Sequence, residues 1–385
     1  MKLPRFATLL GVALAGALVP AGTASAAPES HHGSTVVGHV YVNDNTAGEN
    51  TIAGFDRHAD GSLTPMPGSP FAAGGAGTGK GIGSQGALEL SADGRYLLAV
   101  DAGSGQISVL RIGRGGGLRP VAGGPVSSGG PEPVSIAVHD DLVYVGNGGG
   151  GENNYTGFEL GAGGHLRALA GSTVALPEGS EVADVLFNSS GTNLVGARLG
   201  ASLIDSFAVG EDGRLTAASG SPFAAQAPGP FGSEFRPTNP SQLFVSNAHG
   251  GPGAGSVSAF SVAGDGTLSS IGASPFADKE TAPCWVEISH DGRFLFTTNT
   301  ASGSVSRYRI ADDGSLELLG STAFKSPGSG PLDARLDPDG DTLFVVESGT
   351  HSVGGFAVDG GELSELSSSP TALPAGSAPF GIVVT

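Results

Sequence analysis

Apolar and polar residues alternate with period two along most of the chain, and the alternating runs are short. The clearest unit is Thr281–Leu316. Trp285–Ser289 reads as one strand and Phe294–Thr298 as a second. Val305–Ile310 reads as a third, and Leu316, Leu318 and Leu319 begin a fourth. Between them stand turn signals: His290-Asp291-Gly292-Arg293, Ala301-Ser302-Gly303 and Asp313-Gly314. Such a turn favours glycine because only a residue without a Cβ takes positive φ without strain. A lone four-stranded sheet of this kind has two apolar faces and must stack on others to bury them.

The others are in the sequence. The turn-plus-leucine feature recurs at Leu63, Leu118, Leu166, Leu215, Leu268, Leu316 and Leu363, a period of about 50 residues that with β patterning marks a propeller. A second punctuation, Ser-Pro-Phe, follows the fourth strand at Ser69, Ser221 and Ser274, with Ser369-Pro370 as a shortened copy. The repeats begin at Val36–Val42, a second-strand pattern without its first strand. They end at Pro379–Val384, a first strand lacking what should follow it. Pairing the two completes a seventh blade and removes the open edges. The expected fold is all-β: a seven-bladed propeller of four-stranded antiparallel blades, one domain over residues 35–385, its ring closed by pairing N-terminal strands with the C-terminal strand.

Composition fits this picture. Gly 67 and Pro 25 supply the turns, and 39% hydrophobic residues supply the core. The single Cys284 excludes an internal disulfide. Before the repeats, Lys2 and Arg5 precede an apolar run, Phe6–Val19, and the small-residue site Ala24-Ser25-Ala26. That order reads as a signal peptide over residues 1–27, with a leader over 28–34 and a secreted, extracellular product. Without Lys2 and Arg5, 16 basic residues face 36 acidic ones, a net charge of −20. Nucleic acid and anionic membranes are therefore excluded as partners. A monomer is expected.

Candidate chemistry belongs where propeller loops surround the central channel. The residues ending each second strand are Asp101, Asn147, Arg198, Asn247, Asn299 and Glu347, with His249 beside them and Asp44 near the first blade's end. The inner-strand starts add Glu132, Glu181, Asp184 and Asp333. Convergent carboxylates with one Arg and one His could form the polar floor of a funnel-shaped site. Arg198 would hold a carboxylate or polarise a carbonyl, and Glu181, His249 or Glu347 would activate water. Asp101, Asn147, Asn247, Asn299 and Asp333 would bind substrate. No metal spacing stands out and no cofactor is expected. Asp44, Asp101 and Glu347 could together supply oxygen ligands for Ca²⁺.

Pro283-Cys284-Trp285, Asp291-Gly292-Arg293-Phe294, Thr298-Asn299, Gly303–Ile310 and Asp313–Leu316 together resemble the repeat of the seven-bladed lactonase family. That family includes propeller-type 6-phosphogluconolactonases and carboxymuconate cyclases. The resemblance covers nearly all of residues 35–385. It implies a hydrolase opening a lactone at the channel mouth, with a small-molecule lactone as partner. The inner strands here begin Pro283-Cys284-Trp285, Pro331-Leu332-Asp333, Pro379-Phe380-Gly381 and Gln85-Gly86-Ala87. None carries the Pro-Arg-His typical of the family's active enzymes. The alternative is a non-catalytic propeller that binds a surface partner or glycan.

Overall fold

The computed structural model describes residues 35–149 and 151–385. The expected signal peptide and leader lie outside them. Among the described residues there is no helix, and seven antiparallel sheets form the blades. The innermost strands are Ile382–Val384 in blade 1, Leu88–Leu90 in blade 2 and Pro133–His139 in blade 3. Val182–Phe187, Pro230–Arg236, Pro283–Ile288 and Pro331–Leu336 follow in blades 4 to 7. Each inner strand packs against the next, and blade 7 against blade 1, so the ring is closed.

Closure takes the expected form. Val36–Asn43 pairs with Ile382–Val384 in the register Val40 with Val384, Tyr41 with Val383 and Val42 with Ile382. Backbone bonds between His39 and Thr385 extend the pairing by one residue. The buried Arg57 secures the join, donating to Thr385 O at 3.3 and 3.2 Å and to Asp337 Oδ2 at 3.1 Å. An edge strand is thereby paired on both sides.

The repeated signals have local causes. In the first hairpin of blade 2, Asp93 Oδ1 accepts from Ser91 Oγ (2.7 Å) and Arg95 N (3.0 Å), while Gly94 takes φ 67°. Blade 6 repeats this with Asp291, Ser289, Arg293 and Gly292. These are Asx turns, which fix hairpin register. The Ser of Ser-Pro-Phe accepts from a third-strand amide: Ser69 from Gly54 N, Ser221 from Ser206 N, Ser274 from Ala259 N and Ser369 from Gly355 N. One expectation needs extension. In six blades the segment after the fourth strand does not simply leave for the next blade. It folds back and pairs with the third strand, as Phe223–Ala224 does with Leu203 and Ile204.

Blades are joined by apolar side chains and by tyrosines. Tyr41, Tyr96 and Tyr144 are fully buried on second strands. Each donates its hydroxyl to a turn carbonyl of the following blade: Gly116, Ala162 and Gly213, at 2.7, 3.1 and 2.9 Å. A buried tyrosine needs a partner for its hydroxyl, and here the partner lies across the blade boundary.

The central channel as candidate active site

Three residues close the channel where the inner strands begin. Ser84-Gln85-Gly86 leaves the edge of the ring before blade 2 and crosses the axis. Gln85 N donates to Ala183 O (3.0 Å) in blade 4, and Gln85 Nε2 to Ser233 O (2.7 Å) in blade 5. Its Oε1 accepts from Val286 N (3.0 Å), and Ser84 O accepts from Trp285 Nε1 (2.7 Å), both in blade 6. Gly86 N donates to Asp333 Oδ1 (3.2 Å) in blade 7, and Gly86 O accepts from Ile136 N (2.8 Å) in blade 3. Five blades thus bond to one tripeptide. Phe231, Trp285 and Phe380 add an apolar seal at this end, with ring centroids 5.0 and 6.3 Å from one to the next. All three are buried.

Beyond this plug lies a cavity of about 100 Å³ lined by Gln85, Glu89, Asp184, Glu234 and Arg335, among others. The sequence places them by simple register. Leu88-Glu89-Leu90, Ser233-Glu234-Phe235, Val286-Glu287-Ile288 and Ala334-Arg335-Leu336 occupy equivalent places near the ends of four inner strands. Alternation turns the flanking residues, apolar except Ser233, into the blades and the charged residue toward the axis. Arg335 donates from Nη2 to Glu89 Oε1 (3.1 Å) and from Nη1 to Glu287 Oε2 (3.3 Å), so its fork spans blades 2, 6 and 7. Glu287 Oε1 also accepts from Leu336 N at 2.9 Å. Asp184 Oδ2 accepts from Ser233 N (2.9 Å) and Ser233 Oγ (2.5 Å). Asp333 Oδ2 accepts from Gly381 N at 3.1 Å. Among the described residues the Glu234 side chain has no hydrogen-bond partner.

Solvent reaches the cluster from the end opposite the plug, since the Arg335 and Glu89 side chains keep 29% and 27% of their exposure. The carboxyls nonetheless titrate abnormally. Burial pushes Asp184 and Asp333 up to about 7, against the hydrogen bonds each accepts. Burial raises Glu89 and Glu287 too, with Arg335 opposing. Glu234 is held well above the carboxylate range by burial first and then by the charge of Glu287, with Asp184 and Glu89 adding to it. Burial disfavours the charged Arg335, but Glu287 and Glu89 outweigh this and push its pKa up. Two carboxyls facing one cavity with separated pKa values can serve as acid and base.

The residues expected to form a site at the opposite mouth do something else. In six blades the last residue of the second strand clasps its own blade, bonding across the hairpin to the third strand. Asp101 Oδ2 accepts from Ser108 Oγ (2.6 Å), and Asn147 Nδ2 donates to Asn154 Oδ1 (2.9 Å). Asn247 donates to Ser256 and Ser258, and Asn299 to Ser304 and Ser306. Arg198 is the variant of this clasp in blade 4. Its Nη2 donates to Asp205 Oδ1 (2.8 Å), whose Oδ2 accepts from Tyr155 OH (2.9 Å) of blade 3. Each side chain of the Arg198–Asp205 pair is 5% exposed. Glu347 is fully buried against Gly354 and accepts from Thr350 Oγ1 at 2.9 Å.

Glu181 and His249 are exposed on separate surface loops. Glu181 lies against Gly200, and His249 against Gly229. Among the described residues no hydrogen bond or ion pair joins Arg198, Glu181, His249 and Glu347, so the expected constellation does not assemble. Of the expected binding residues only Asp333 stands at the channel. The oxygens proposed for Ca²⁺ are likewise split between hairpins, with Asp44 Oδ2 accepting from Thr51. Among the described residues no group of three or more His, Cys, Asp or Glu is arranged to hold a metal ion.

A closed ring of seven four-stranded blades with a polar channel defines the class: a seven-bladed β-propeller. The matching family model is that of the Lactonase, 7-bladed beta-propeller family, over residues 234–383, from the inner strand of blade 5 to the closing strand. Over that stretch the chain is similar to the lactonase propeller family. It is similar in structure to the periplasmic gluconolactonase PpgL of Pseudomonas aeruginosa, with a TM-score of 0.73 and 17% identity over 90% of this chain and 99% of that one. A provisionally assigned 6-phosphogluconolactonase of Bacteroides fragilis gives a TM-score of 0.70 and 20% identity over 90% and 98%. A protein of Lactobacillus plantarum gives 0.69 and 19% over 90% and 99%. At these identities the likeness establishes the fold alone. No curated protein matches the chain in sequence.

Proposed function

We propose that the chain is an exported lactonase-like hydrolase whose chemistry takes place in the channel cavity, beyond the Gln85 plug. The observation carrying this reading is the meeting of Asp184, Glu234 and the Glu89–Arg335–Glu287 bridge around one solvent-reached space. Glu234, whose carboxyl burial and the charge of Glu287 hold well above its ordinary range, is the acid. Asp184, pushed up to about 7 by burial, is the base, in the range that suits proton transfer near neutral pH. Asp184 accepts a proton from water as the water oxygen attacks the lactone carbonyl carbon. The carbon–oxygen bond of the ring then breaks, and Glu234 delivers its proton to the leaving ring oxygen. The product is the open hydroxy acid. One proton then passes from Asp184 to Glu234 through the cavity. Export rests on the sequence features of residues 1–27.

The test is proton release in a pH-stat from a panel of γ- and δ-lactones, with wild type and Glu234→Gln. Turnover by wild type that falls at least about 100-fold in the variant, the usual size of an acid–base contribution, supports the proposal. No turnover of any lactone favours the non-catalytic, partner-binding propeller. Equal turnover by both proteins removes Glu234 from the reaction.

A further inference from the structure

We infer that Glu89 and Glu287 set the charge selectivity of the channel: by occupying both ends of the Arg335 fork they make it refuse anions, so the site takes an uncharged lactone. This rests on the channel being the site proposed above. Arg335 is the only cationic side chain among those lining the cavity. Its guanidinium would otherwise suit a phosphate or carboxylate, which bind such forks in bidentate fashion. Here Nη2 is taken by Glu89 and Nη1 by Glu287. A third glutamate, Glu234, faces the same space without a partner of its own, and Asp184 and Asp333 stand one layer deeper in the channel. An incoming anion therefore meets the Glu89 and Glu287 carboxylates and a cation that they already neutralise. On a chain with 36 acidic residues against 18 basic ones, nothing at longer range compensates.

An uncharged polyhydroxy lactone meets no such barrier, and its hydroxyls can donate to the carboxylates. The glutamates thus act as a mask over an arginine that could otherwise read an anion. The mask makes a gain-of-function prediction: neutralising it exposes an anion site that the native protein lacks.

The experiment uses inorganic phosphate as the probe, with full-length mature protein, calorimetric titration and thermal melting. Wild type is expected to show no saturable phosphate binding. Glu89→Gln/Glu287→Gln is expected to bind phosphate at least about tenfold more tightly than wild type, as removal of like charge from a recognition site allows. Saturable phosphate binding by wild type, with an affinity matching the variant's, overturns the inference. So does a folded variant that gains no binding. Should the variant not fold, wild type alone decides. Hydrolysis of glucono-1,5-lactone at least about tenfold faster than of its 6-phosphate supports the inference, and equal rates overturn it. Absence of turnover with both lactones counts against the hydrolase reading instead, and the phosphate titration still decides the mask.

Discussion

Arg198 provides the sharpest separation between a scaffold role and a chemical one. It ends a second strand, it is the only arginine at that position in the seven blades, and it carries the geometry of a buried ion pair. At 2.8 Å between Nη2 and Oδ1, two unit charges attract by about 6 kcal/mol at an effective dielectric of about 20. Desolvation of both groups offsets much of this. Removing one partner leaves the other charge uncompensated, which costs about 3–5 kcal/mol for a buried pair. Arg198→Met falls at the lower end of that range, because Tyr155 still donates to Asp205 and burial already pushes that carboxyl toward its neutral form. Asp205→Ala falls at the upper end. It strands a guanidinium whose Nε already lacks a partner and removes the acceptor of the Tyr155 hydroxyl. The double variant should cost less than the sum of the singles by about 2–3 kcal/mol, as contacting residues in one network do. Urea unfolding of the four proteins measures this cycle. A coupling energy under about 0.5 kcal/mol would refute the reasoning. So would an Arg198→Met protein that unfolds like wild type yet loses turnover.

Two further outcomes follow from the channel. Gln85→Ala deletes two buried hydrogen bonds, from Val286 N and to Ser233 O, and should cost about 2–4 kcal/mol from the groups left unpaired. The sole tryptophan, Trp285, bonds to the same plug, so acrylamide should quench its fluorescence more strongly in the variant; unchanged quenching would mean that the plug does not depend on Gln85. The second outcome concerns pH. Asp44, Asp184, Asp278 and Asp333 are buried and pushed up to about 7, whereas an unfolded aspartate titrates near about 3.9. Between these values the folded chain binds more protons than the unfolded one, so their contribution is full at low pH and is lost as pH rises through about 7. The exposed turn aspartates, such as Asp93 and Asp313, have lowered pKa values and act only below this window. The urea midpoint should fall from about pH 5 to about pH 8, and a midpoint that rises over that range contradicts the assignment.

The fold was legible because its determinants are local and repeated. Asp-Gly turns, alternation and a missing first strand at one end matched by a spare one at the other suffice to define a closed ring. The site was less legible because position in a strand does not say which way a polar residue is used. Asn147, Asn247 and Asn299 end their strands as a channel rim would require. Yet each is answered seven to eleven residues later by a Ser or Asn on the third strand, and that spacing is the mark of a hairpin clasp. Arg198 with Asp205 keeps the spacing and changes the chemistry. Glu89, Glu287 and Arg335 carried a signal of their own, a charge between two apolar residues at one register of an inner strand, and Glu234 shares that register between Ser233 and Phe235. Such a charge must find partners at the axis, and the partners come from other blades, far away in sequence. The plug was hidden for the same reason. Gln85 looks like a departure at one inner-strand start, and its five-blade bonding exists only once the ring is closed.

The measurement that bears most directly on the account is a side-by-side comparison of kcat/KM for ring opening of an uncharged lactone by Glu234→Gln and Arg198→Met, each corrected for the folded fraction. A channel site requires a loss of at least about 100-fold for Glu234→Gln and a value within about twofold of wild type for Arg198→Met. The reverse pattern, with Arg198→Met inactive and Glu234→Gln unimpaired, would return the chemistry to the second-strand ends and contradict the channel site.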